Sequence, residues 1–151
     1  MAFQYTPYTV PVFLSAVVGG GVAAFALQNR DRPGAFPLAV FMTGASLWSV
    51  AEGMNLAHAD QAGKVFWTNV EIAITGLVPL TFLWLVLEYT GNEEWVTPWS
   101  LGLLLVEPVL VAATVWFRPE LIRTDIGTTT VGGFQVITET FGPGYYVHII
   151  Y

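Results

Sequence analysis

Four long apolar runs, separated by short polar segments, constrain this chain more than any other feature of its sequence. The runs cover residues 8–27, 36–56, 65–87 and 98–117. Each is about 20 residues long, the length at which an α-helix crosses a hydrocarbon core of about 30 Å. Only 11% of the residues are charged, and most of those charges fall between the runs. The sequence therefore predicts a multi-pass membrane protein in which the bilayer excludes charge from the spans.

Local signals mark the ends of two of these runs. Gly91 and Asn92 are typical helix terminators after the third run. Thr97 is a candidate N-cap for the fourth run, and Pro98 is a typical first-turn proline. The third and fourth helices are therefore expected to be separate, with a short connection between them.

The last third of the chain differs from the rest. Residues 118–144 are polar and rich in Thr and Gly, and the alternation in residues 134–138 is compatible with a short strand or hairpin outside the bilayer. Residues 145–151 are apolar again but too few to span, so they predict the start of a fifth helix that is cut off. We expect an all-α, polytopic membrane helix bundle, one domain over residues 1–151, with four transmembrane helices and the start of a fifth.

Basic residues predict the orientation of the bundle. The first connection contains Arg30 and Arg32, whereas the second contains only Lys64. The positive-inside rule then places the first connection in the cytoplasm, the N-terminus outside, and residues 118–144 in an extracellular loop of a plasma-membrane protein. Because no Lys or Arg precedes Arg30, the first run lacks the basic leader of a signal peptide and is expected to be retained.

Several classes of chemistry find no support in the sequence. Cysteine is absent, which excludes disulfides and thiolate ligands. His58 lies in a connection and His148 near the chain end, so they do not form a pair of haem ligands, and no mid-span lysine is present for a retinal Schiff base. With five basic residues in all, the chain has no patch for nucleic acid. We expect no catalytic residues, no metal and no cofactor.

Three carboxylates interrupt the apolar runs: Glu52, Glu71 and Glu107. Each would cost about 3 kcal/mol if it faced lipid near the bilayer centre, so all three are expected to face the bundle interior. Glu52 and Glu71 lie at similar depth on adjacent antiparallel helices, within about two turns of the outer surface.

A tryptophan precedes each of these two glutamates by four residues, which puts each Trp and Glu on one helical face. A pocket of Trp48, Glu52, Trp67 and Glu71 would share a proton or hold a cationic ligand against the indole rings. The structural alternative is that the glutamates hydrogen-bond across helices and the tryptophans belong to the interfacial belt. Asn69 points about 200° away from Glu71 and must find another neighbour.

Two prolines lie inside the third and fourth runs. Pro79 and Pro108 lack a backbone N–H, which leaves the carbonyls of Thr75 and Leu104 without their helical donors and predicts kinks. Glu107 directly precedes Pro108, so it either joins a deeper polar path or bonds to a neighbouring backbone.

One stretch resembles a known family. Residues 67–71 (Trp-Thr-Asn-Val-Glu), then Pro79, Phe82 and Trp84, and finally residues 87–91 (Leu-Glu-Tyr-Thr-Gly) resemble the third helix of the N-terminal seven-helix region of membrane histidine kinases, which are common in archaea and some bacteria. The resemblance extends upstream through residues 33–35, Trp48 and Glu52, and downstream through residues 141–144.

The resemblance implies a sensory, signal-input module for a two-component system, non-catalytic in itself, that passes a signal to cytoplasmic kinase domains. Only four spans and the start of a fifth are present, so it also implies a truncated seven-helix module or a shortened relative. Its expected partners are the lipid bilayer, a second copy or other membrane chains, and kinase domains absent from this chain. Two alternatives remain open: a proton- or solute-transport subunit with Glu52, Glu71 and Glu107 as a relay, and a structural subunit of a membrane complex.

Overall fold

The computed structural model describes residues 2–151 and is about 70% helical. Its helices are α1 (Thr9–Gln28), α2 (Ala35–Ala57), α3 (Gln61–Thr75), α4 (Leu77–Tyr89), α5 (Pro98–Phe117) and α6 (Pro143–Ile150). Two strands, β1 (Arg123–Val131) and β2 (Phe134–Phe141), form an antiparallel hairpin between α5 and α6. The all-α prediction therefore holds for the bundle but omits a small two-stranded sheet, because the segment after α5 alternates with a strand period instead of a helical one.

Four helical segments are long and apolar enough to cross a bilayer, as predicted: α1, α2, α5, and the combined stretch Gln61–Tyr89 that contains α3 and α4. The combined stretch is 29 residues long, more than the roughly 20 that a span requires. Helix α3 therefore begins one turn before the predicted start of the span at residue 65.

Helices α1 and α2 pack through small residues. Ser46 on α2 donates a hydrogen bond to the Ala16 carbonyl at 2.7 Å. A Cβ added to Gly19 would meet Ser46 Cβ at 3.4 Å, so the two backbones approach closely there. In a bilayer this packing contributes most of the attraction between helices, because lipid is as apolar as the side chains.

The third span is interrupted at Gly76, between α3 and α4. Pro79 has no N–H to donate to the Thr75 carbonyl, which explains why the helical ladder breaks at this place. Gly76 keeps helical dihedral angles, φ −65° and ψ −23°, and its missing Cβ admits Pro108 of α5, whose Cα would lie 3.2 Å from that atom. The α5 helix, in contrast, continues through Pro108.

The predicted helix ends are confirmed. Helix α4 ends in a Schellman motif, in which Asn92 N–H donates to the Leu87 carbonyl at 2.8 Å and Gly91, at φ +73°, supplies the left-handed residue. Helix α5 begins with a capping box between Thr97 and Ser100, with Pro98 in the first turn.

The hairpin and the N-terminal segment meet at one end of the bundle. Gly132 and Gly133 form the turn at φ +60° and +89°, the two positive values that a type I′ turn requires. The Gln4 side chain donates to the Gln135 carbonyl at 2.9 Å, and Gln4 N–H donates to the Ala57 carbonyl at 2.8 Å. The N-terminal residues therefore tie the hairpin to the connection between α2 and α3.

Candidate functional site

Glu52 on α2 and Glu71 on α3 lie close together across the contact between these two helices. The carboxyls of Glu52 and Glu71 lie close enough for each to affect the other's charge. Asn55 Nδ2 donates to Thr68 Oγ1 at 2.8 Å and to Glu71 Oε1 at 3.2 Å. The polar faces of α2 and α3 therefore meet inside the bundle, as the sequence predicts for carboxylates that lipid would not tolerate.

Lys64, near the start of α3, is buried instead of exposed to solvent. Its side chain is almost fully covered, with 1% relative exposure for the residue, and Nζ donates to the Asn55 carbonyl at 2.8 Å. That carbonyl lies in the last turn of α2, where helical donors run out. The ammonium is also close enough to Glu52 and Glu71 to interact with their charges, so burial gives it both a hydrogen bond and opposite charge.

Arg123, the first residue of β1, reaches from the hairpin into the helices. Its side chain has 0% exposure and donates to Glu139 Oε2 at 2.7 Å. It also donates to the Val65 carbonyl at 3.1 Å and to Asn69 Oδ1. Arg123 is thus the neighbour that Asn69 requires. Its charged guanidinium joins β1, β2 and α3, and hydrogen bonds from a charged donor are stronger than those between neutral groups.

Helix α6 docks against α5 at the second predicted proline. His148 Nδ1 hydrogen-bonds Glu107 Oε1 at 2.7 Å. The Tyr151 hydroxyl donates to the Leu104 carbonyl at 2.6 Å, which is the carbonyl that Pro108 leaves without a helical donor. Glu107 therefore connects two helices instead of facing lipid.

A cavity of about 240 Å³ lies between these groups, where β2 joins α6. It is lined by side chains of α2, α3, β2 and α6: Trp48, Thr68, Glu71, Ile72, Thr75, Glu139, Phe141, Tyr145, His148 and Ile149. Among the described residues, no three His, Asp or Glu side chains are close enough together to hold a metal ion.

The predicted pocket residues divide around this cavity. Trp48 and Glu71 line it, whereas Glu52 and Glu107 do not. Glu52 lies near Glu71, and Glu107 hydrogen-bonds His148. Trp67 lines a different cavity of about 390 Å³, together with Phe3 and His58 among others. The two Trp/Glu pairs are therefore not equivalent, although their sequence spacing is the same.

Four charged or titratable residues of this region were not singled out from the sequence as site residues: Lys64, Arg123, Glu139 and His148. Their partners lie between 9 and 58 residues away along the chain, and local patterns do not reveal such pairings. The one visible signal was His148, a lone polar residue in an otherwise apolar helical stretch.

Charges on the aqueous surface have ordinary local partners. Asp60 caps α3, and the N–H groups of Gly63 and then Ala2 hold the pKa of its carboxyl below the usual value of 3.8. Arg118 likewise lowers the pKa of Glu120. These exposed groups contrast with the buried network, whose members bond across different elements.

One family of known proteins is similar to this chain over nearly its whole length. The family model described as the N-terminal 7TM region of histidine kinase matches residues 11–151. No curated protein and no solved structure matches the chain significantly. The match covers all six helices except the first two residues of α1, together with the hairpin and the cavity.

Proposed function

The chain belongs to the family of N-terminal seven-transmembrane regions of histidine kinases, and from this premise we propose that it is the sensory input module of such a kinase. Regions of this family are non-catalytic. In this proposal the buried network around Glu52 and Glu71 responds to a ligand, to protons or to a property of the membrane, and the response alters kinase activity on the cytoplasmic side.

The observation that carries this proposal is the concentration of buried polar groups at one end of a membrane bundle. Glu52, Glu71, Asn55 and Lys64 join α2 to α3, and Arg123 joins α3 to the hairpin. Ionisable groups inside membrane segments are expensive and mark functional sites more often than structural ones. The network also adjoins a cavity that a small ligand can enter.

Signal transfer is proposed to use the contact between the third span and α5. The cavity residue Thr75 directly precedes the break at Gly76, and Gly76 lies against Glu107 and Pro108. A change in the cavity would therefore act on a place where one helix is already interrupted and its neighbour contains a proline. Small helix shifts of about 1–2 Å at such contacts are a common form of switching.

A relay for transported protons or solutes is less well supported. Such a path must continue past Glu107 through the other half of the bundle. The threonines there are satisfied by their own helices, because Thr43 donates to the Ala39 carbonyl and Thr81 to the Leu77 carbonyl. In the sensory proposal the module assembles with a second copy or with other membrane chains and passes its signal to cytoplasmic kinase domains.

The test compares two double variants of the protein in its native membranes. Glu52→Gln with Glu71→Gln removes two half-buried carboxylates, while Glu93→Gln with Glu94→Gln removes two exposed ones from the connection between α4 and α5. Phosphohistidine formed from ATP on the kinase that contains or binds the chain is measured. We expect a several-fold change for the first pair and none for the second. Equal phosphorylation in all three proteins, or no associated kinase, would contradict the proposal.

A further inference from the structure

The cavity beneath the hairpin contains a buried polar atom without a partner. His148 is 92% buried, with 8% relative exposure, and its Nε2 makes no hydrogen bond. Its Nδ1 is turned toward Glu107, which does not line the cavity. The Nε2 atom is therefore the ring nitrogen left for whatever occupies the cavity, and an unsatisfied buried nitrogen requires an explanation.

The hydrogen bond to Glu107 assigns roles to the two ring nitrogens. When Glu107 is ionised it only accepts hydrogen bonds, so Nδ1 of His148 donates to it, and in the neutral imidazole Nε2 is then an acceptor. Glu71 and Glu139 add two carboxyl groups to the same cavity wall. The polar part of the cavity thus offers acceptors from three elements, α3, β2 and α6, and matches an occupant that supplies donors.

The charges around the cavity point the same way. Four carboxyls lie in or directly behind its wall, from Glu52, Glu71, Glu107 and Glu139, whereas the nearby fixed cations are Lys64 and Arg123. Because carboxyls outnumber the fixed cations around this cavity, a cationic occupant would be stabilised there by pairing with them.

The remaining wall is aromatic. Phe141 and Tyr145 stack with ring centroids 3.8 Å apart, and Trp48 lies on the wall contributed by α2. Aromatic faces attract cations and also accommodate short hydrocarbon groups. Acceptors and aromatic faces thus share one cavity wall, which fits a cation with an organic part.

We infer that this cavity is a binding site for a primary ammonium group, which lies among the acceptors Glu71, Glu139 and His148 Nε2 while its carbon substituent lies against Trp48 and Tyr145. The group has two possible sources, a small free amine or the ethanolamine headgroup of a lipid. This inference rests on the proposed function, because it names the class of ligand for the same site. Ligand binding can nevertheless be measured without any kinase.

The test is calorimetric titration of the protein in phosphatidylcholine nanodiscs, with empty nanodiscs as the blank. Ethylammonium chloride is the probe, and tetramethylammonium chloride is its matched control, because it carries the same charge without N–H donors. We expect ethylammonium to bind at least roughly tenfold more tightly, which is the effect of one charge-assisted hydrogen bond. Absence of ethylammonium binding, or equal binding of the two cations, overturns the inference.

Variants locate the site. Glu71→Gln and Glu139→Gln should each weaken ethylammonium binding by roughly tenfold, and Glu93→Gln, far from the cavity, should leave it unchanged. Circular dichroism identifies variants that fail to fold, and the comparison of the two cations on the unmodified protein then decides alone. Unchanged binding in a folded Glu71→Gln variant would overturn the inference.

A second set of nanodiscs distinguishes the sources. If phosphatidylethanolamine occupies the cavity, adding it to the bilayer weakens ethylammonium binding by competition, which supports a lipid headgroup. If it has no effect, the ligand is a free amine. If the protein binds ethylammonium but Glu52→Gln with Glu71→Gln leaves phosphorylation unchanged, only the sensory function is refuted. If the double variant changes phosphorylation but the protein does not bind the amine, only the ligand class is refuted.

Discussion

Individual charged residues in this protein differ in what their removal costs, because some pairs are buried and others are exposed. Two ion pairs have the same 2.7 Å nitrogen–oxygen distance. The Arg123–Glu139 pair has side-chain exposures of 0% and 12%, whereas those of Arg118 and Glu120 are 70% and 55%. Water replaces a lost partner at the second pair but not at the first.

We therefore predict that Arg123→Met destabilises the protein by about 3–5 kcal/mol, since it leaves Glu139 and Asn69 buried without their donor. The matched control Arg118→Met should cost less than about 1 kcal/mol. Unfolding in mixed detergent micelles, followed by circular dichroism, measures both. Equal costs for the two variants would show that Arg123 is not the buried clamp described above.

Asp60 provides a prediction about pH. Its pKa is lowered in the folded protein by the N–H groups of Gly63 and Ala2, so the charged form contributes stability above the unfolded pKa. This contribution is lost as the pH falls through the lower, folded pKa. Asp60→Asn keeps an N-cap acceptor but removes the charge, so its melting temperature should lie below that of the unmodified protein at neutral pH.

The difference in melting temperature between these two proteins should shrink as the pH falls below about 3.8, the unperturbed value for Asp. Glu94→Gln, an exposed change of the same charge, serves as the control. A difference that stays constant with pH would mean that Asp60 acts through its shape alone.

The positions of single residues are predictable from the sequence where their constraints are local, and poorly predictable where their partners are distant along the chain. The placement of Glu52 and Glu71 at the contact between α2 and α3, where both are half-buried, follows from the cost of charge in lipid. The spacing also suggests equivalent positions for Trp48 and Trp67, but the two line different cavities. A four-residue spacing selects a helical face but does not determine which neighbour covers that face. Trp67 packs toward His58, with ring centroids 6.4 Å apart, and Phe3 of the N-terminal segment packs on the same His58 ring.

At the scale of elements, the break between α3 and α4 is stabilised by what packs against it. Gly76 admits α5 so closely that an added Cβ would lie 3.2 Å from both Pro108 Cα and Glu107 Oε2. Pro79 was visible in the sequence and explains the missing hydrogen bond. The position of α5 against the break was not visible, because it depends on tertiary packing between spans.

Gly76→Val is predicted to destabilise the bundle by about 1–3 kcal/mol through overpacking against α5. The matched control is Gly102→Val on α5, where an added Cβ meets nothing within 4 Å, and its effect should be small. Both free energies of unfolding are measured in the same micelles. If Gly102→Val proved as costly as Gly76→Val, the effect would belong to the residue type and not to the contact.

On the scale of the whole molecule, the two ends of the bundle are chemically different. The N-terminal segment, the connection between α2 and α3, and the hairpin are hydrogen-bonded together at one end. The connections that contain Arg30 and Glu94 lie at the other end, since the spans alternate in direction. The hairpin end contains three basic residues, Lys64, Arg118 and Arg123, of which two are buried.

This distribution makes orientation a demanding test of the positive-inside rule. The exposed Arg30 and Arg32 predict that their connection is cytoplasmic and that the hairpin and the N-terminus are outside. Because the chain has no cysteine, single cysteines report their own side without interference. Thr130→Cys in β1 should react with an impermeant maleimide on intact cells, whereas Asp31→Cys and Glu94→Cys should react only after the cells are permeabilised. The reverse pattern would place the cavity and its ammonium site on the cytoplasmic side, where it could not receive an extracellular ligand.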